Sequence, residues 1–110
     1  MSVKAVNEAY RQICEQYAEM LENIKDLEKE ASEGIVEPER IERLKEQIEP
    51  IKINYERWAY IMFLLHQPER KAKHSRYKNQ NKALLKKLNS ANSIESTLQE
   101  NREALDRMRG

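Results

Sequence analysis

The sequence predicts an all-α fold. It should be a long antiparallel helical hairpin of coiled-coil type, followed by one or two C-terminal helices in a three- or four-helix bundle. Three observations carry this. Apolar residues recur at alternating steps of three and four over two long stretches. Only two glycines and three prolines occur in 110 residues, too few for the frequent turns of a sheet protein. Charged residues make up 35% of the chain and apolar ones 39%, which suits helices with one narrow apolar face.

The first stretch has its apolar positions at Val3, Val6, Tyr10, Ile13, Tyr17, Met20, Ile24, Leu27 and Ala31. Glu8, Glu15, Glu22 and Lys29 fall on the opposite side. A strand would alternate every second residue, so a helix over residues 3–33 is expected. Gly34 follows as a stop that accepts positive φ, and Pro38 suits the first turn of the next helix. Residues 34–37 are then a short connection, which makes the flanking helices antiparallel neighbours.

The second helix, residues 38–67, repeats the pattern at Ile41, Leu44, Ile48, Ile51, Tyr55, Trp58, Met62 and Leu65. Folding back at 34–37 brings Ile13, Tyr17 and Met20 near Trp58, Tyr55 and Ile51. Pro50 lacks a backbone donor, but the seam keeps its phase across it, favouring one kinked helix over two. From Trp58 onward, Ala59, Tyr60, Ile61, Phe63 and Leu64 add apolar surface off the seam. Either the C-terminal helices or a second copy of the chain must cover it.

Pro68 opens the third part. Good helix formers run from Glu69 to Leu88, with apolar residues only at Ala83, Leu84, Leu85 and Leu88 near the end. Residues 89–93 are rich in Asn and Ser, which prefer caps. Ser96 with Gln99 reads as a capping box, Ser93 as the alternative cap, for a last helix through Leu98, Leu105 and Met108. All of this fits one domain over residues 1–110, with the hairpin in 1–67 and the basic segment and last helix in 68–110.

Function is narrower to read. His66 and His74, the only histidines, have no Cys or carboxylate partners at metal-ligand spacing, and no glycine-rich phosphate loop exists. The glutamates lie on outward positions, and Cys14 flanks the seam as a small core residue beside Glu15. A non-enzymatic protein without metal or cofactor is expected. Cys14 is the only cysteine, and no signal-like start is present, which together suggest a reducing, cytoplasmic setting. The longest apolar run, 59–65, is far below the ~20 residues of a membrane helix, so no membrane partner is expected.

Charge is unevenly spread. Residues 1–67 hold nine Lys/Arg against fourteen Asp/Glu, whereas residues 68–88 hold eight against Glu69 alone. The cationic segment points to a polyanionic partner, with nucleic acid contacted through its backbone as the leading candidate. The residues expected to make that contact are Arg70, Lys71, Lys73, Arg76, Tyr77, Lys78, Lys82, Lys86 and Lys87. The competing readings are a solvated face, or cations docked on the acidic outer surface of the first two helices. The runner-up function is a protein-binding adaptor, inhibitor or scaffold. It would act through Trp58, Tyr60, Ile61, Phe63 and Leu64, the same surface expected to form a homodimer.

Overall fold

Gly34 turns the chain with φ +79°, a conformation that costs a residue with a side chain about 1–2 kcal/mol. Its N–H donates to the Ala31 carbonyl at 3.1 Å, and the Ile35 N–H donates to Glu30 at 2.9 Å. These are the paired closing bonds of a Schellman turn, which satisfy carbonyls the helix leaves open. The computed structural model describes residues 3–88 and 93–109. They form α1 (Val3–Ser32), α2 (Pro38–Leu65), α3 (Pro68–Ala72), α4 (His74–Leu88) and α5 (Ile94–Arg109), with no strand among the described residues. Pro38 stands in the first turn of α2 after an extended Glu37, and α2 runs unbroken through Pro50.

The expected pairing of α1 with α2 is visible at one contact. Tyr17 stacks on Tyr55, ring centroids 4.6 Å apart and planes 11° from parallel. On one side of that pair Ile13, Val6 and Ala9 join Trp58, Ile61 and Met62; on the other Met20 and Ile24 join Ile41, Leu44 and Ile48. Burial first, and then a hydrogen bond with the Cys14 side chain, push the Tyr10 phenol well above its ordinary value. Cys14 itself is half-buried.

The two seams do not suffice for each other. α5 fills the groove between them: Ile94 and Leu98 enter the Trp58 cluster, and Ala104, Leu105 and Met108 enter the Met20 cluster. Leu84, Leu85 and Leu88 of α4 cover the Trp58 end. Beyond residue 67 there are thus three helices where one or two were expected. The cap of α5 is Ser93, whose Oγ accepts the Ser96 N–H at 3.1 Å; the Ser96–Gln99 box does not form the start. The helix begins earlier because Ile94 and Thr97 are both needed in the core, at 0% and 2% exposure.

Polar ties set the depth and register of α5. The Thr97 hydroxyl accepts from Trp58 Nε1 at 3.0 Å and from Asn54 Nδ2 at 2.9 Å, and donates to the Ser93 carbonyl at 3.1 Å. One donor and two lone pairs are all a hydroxyl has, so this group is fully used. One turn on, buried Asn101 donates to Gln16 Oε1 at 3.0 Å, and Gln16 Nε2 donates to the Leu98 carbonyl at 3.1 Å. At the far end Arg40 donates to the Met108 carbonyl and Arg109 pairs with Glu19. Thr97→Val keeps the shape but leaves the indole and amide donors without an acceptor. Chemical denaturation should therefore show a loss of about 2–3 kcal/mol, against under ~1 kcal/mol for Thr97→Ser, which keeps the hydroxyl.

Candidate nucleic-acid interface

The cationic segment does not form one helix, although its residues are good helix formers. α3 starts at Pro68 and ends after five residues at Lys73, whose N–H reaches the Glu69 carbonyl at 2.9 Å. The Lys73 carbonyl then accepts the N–H groups of Arg76 at 3.0 Å and Tyr77 at 3.3 Å. One residue closes α3 and opens α4, with no glycine or proline at the corner. Side chains hold the bend. Arg70 Nη1 donates to Asn81 Oδ1 at 3.1 Å, and its guanidinium lies 4.8 Å from the Tyr77 ring centre. The Arg76 guanidinium is 5.8 Å from the same ring.

Past the corner, α4 has two faces. Tyr77, Asn81, Leu84 and Leu85 are half-buried and Leu88 is fully buried, anchoring the helix to the Trp58 cluster. His74, Lys78, Lys82 and Lys86 follow one another at four-residue steps on the exposed side. At 1.5 Å per residue they extend over ~18 Å. Lys71, Lys73, Arg76 and Lys87 are exposed as well. The ion pairs among the described residues join Arg11, Lys45 and Arg109 to carboxylates, and none involves Lys71, Lys73, Arg76, Lys78, Lys82 or Lys86. Docking of these cations on the acidic faces of α1 and α2 therefore finds no ion pair there.

The nine residues expected to meet nucleic acid thus divide. Arg70 is half-buried and, with Tyr77, builds the corner; the other seven are exposed. Sequence reasoning missed the corner because nothing at Lys73 breaks a helix. Only the four-residue step from Tyr77 to Asn81 hints at a face for Arg70 to cover.

The expected protein interface divides too. Trp58 and Ile61 are 0% and 5% exposed within the chain's own core, where Arg57 also lies over the indole at 5.0 Å. Leu64 is half-buried. Tyr60 and Phe63 stand bare at 63% and 62%, joined by Ile53 at 60%, seven residues before Tyr60 and not foreseen. The apolar excess of residues 58–65 is therefore partly covered by α4 and α5 and partly open.

Among the described residues no three His, Cys, Asp or Glu side chains group as metal ligands, and no helix is long and apolar enough to cross a membrane. No family model, curated protein or solved structure matches this chain.

Arg70→Lys keeps the charge but loses the planar fork and its stacking. It should open the corner by about 1 kcal/mol, read as roughly fivefold faster amide hydrogen exchange over residues 71–77. The global unfolding midpoint should stay within ~0.5 kcal/mol of the parent, because the corner lies outside both core clusters.

Proposed function

We propose that this chain is a non-enzymatic accessory protein that binds nucleic acid through its phosphate backbone. The helical bundle serves to hold α4 in place. The observation that carries this reading is the exposed row His74, Lys78, Lys82 and Lys86, which has no acidic partner among the described residues. A solvated cationic row of this kind releases counterions when phosphates replace them, which is the main source of nonspecific affinity. Lysine dominates the row, and lysine meets phosphate as a point charge, without the rigid fork of arginine. Backbone contact without base reading follows.

A second reading rests on the bare row Ile53, Tyr60 and Phe63 on α2. It would serve a protein partner or a homodimer. Its affinity would be nearly independent of salt, since apolar burial is not screened as charge pairs are.

Binding to single- and double-stranded DNA and RNA over a salt series separates the two readings. The parent protein should bind with log affinity falling linearly in log salt. Lys78→Ala, Lys82→Ala and Lys86→Ala together should flatten that slope by about 2–3, since each phosphate contact contributes roughly 0.7–0.9. Absence of binding at low salt would end the nucleic-acid reading and leave the α2 row as the place to look.

A further inference from the structure

A cavity of about 200 Å³ lies where the end of α2, α3 and α4 meet. Its floor is Leu65 and Leu85, and its polar lining is His66, Arg70, Lys71, His74 and Asn81. No carboxylate lines it. Four of these five polar groups carry, or can take on, positive charge. The cavity is smaller than the ~300–1,000 Å³ of sites that enclose a whole small molecule. It opens to solvent on one side and has room for a tetrahedral oxyanion against its cationic lining.

Three of the five polar groups are held in place before any ligand arrives. Arg70 is fixed by Tyr77 on its face and Asn81 at one nitrogen, with other N–H donors of its fork uncommitted. Asn81 spends its oxygen on Arg70, which leaves its amide donors for a ligand. His66 Nε2 is 2.8 Å from Asn7 Oδ1; an amide oxygen only accepts, so the ring donates and its orientation is set from α1. His74 belongs to both the cavity and the exposed row, so the two are continuous.

We propose that this cavity takes the terminal phosphate monoester of a nucleic-acid strand whose backbone then runs along Lys78, Lys82 and Lys86. The inference rests on the nucleic-acid reading above, and adds to it that the protein prefers strand ends bearing phosphate. An internal phosphodiester offers two free oxygens and one negative charge, whereas a terminal monoester offers three and up to two, so the cationic lining favours the strand end.

The test uses one oligonucleotide sequence in three forms: 5′-phosphorylated, 3′-phosphorylated and with both ends hydroxyl. Binding is measured to the parent and to Lys71→Ala/His74→Ala, with circular dichroism confirming the fold of each. One end-phosphorylated form should bind on the order of tenfold tighter than the hydroxyl form, the worth of one or two charge-assisted hydrogen bonds. The double variant should lose that ratio, and its binding of the hydroxyl form should weaken only by what the loss of two cations from the surface predicts. Equal binding of all three forms by the parent would overturn the proposal and leave backbone binding intact. A parallel titration with inorganic phosphate follows the His66 and His74 ring resonances by NMR. Saturable shifts there without end preference would make this a site for free phosphate and overturn the strand-end assignment. No shift and no oligonucleotide binding would remove both readings together.

Discussion

The structure depends on one hydroxyl. Thr97 sits 2% exposed between α5 and α2, and its oxygen meets the two side-chain donors that α2 buries there, Trp58 Nε1 and Asn54 Nδ2. An unpaired indole N–H at that depth would cost as much as several apolar contacts gain. Sliding α5 by one residue would break both bonds to α2. Apolar surfaces tolerate such a slip, because burial has no direction. Thr97 together with the Gln16–Asn101 pair turns a generic amphipathic helix into one with a single seat.

That seat has a consequence for the cationic segment. Leu88 of α4 packs into the same cluster as Trp58, Ile94 and Leu98, so α5 and α4 share one wall. The row of lysines is held to a packed core at its C-terminal end and to the Arg70 corner at its N-terminal end. Under the proposed function, a row mounted this way would lose side-chain but little backbone freedom on meeting phosphates, which lowers the ordering cost.

Much of the fold was legible in the sequence, because its signals were local and periodic. Gly34, Pro38 and the three-four seams fixed the first two helices and their facing, down to Tyr17 beside Tyr55. Pro50 left the phase intact, and the helix runs on. The sequence was silent where two distant residues decide the outcome. The split at Lys73 arises from Arg70 meeting Tyr77 and Asn81, seven and eleven residues on. The burial of Ile61 arises from helices that follow it. Periodicity alone could not tell covered apolar surface from bare, so Trp58 and Ile61 were grouped with Tyr60 and Phe63. The cavity at the corner was not legible, since its lining is assembled by the bend itself.

The most direct measurement is a nuclear magnetic resonance titration of the isotopically labelled protein with a short single-stranded DNA, read residue by residue. Shift changes should be confined to residues 66–87, strongest at Lys71, His74, Lys78 and Lys82, with α1 and the Ile53–Tyr60–Phe63 row unmoved. Changes centred on that α2 row, or none in α4 at low salt, would contradict the proposed function.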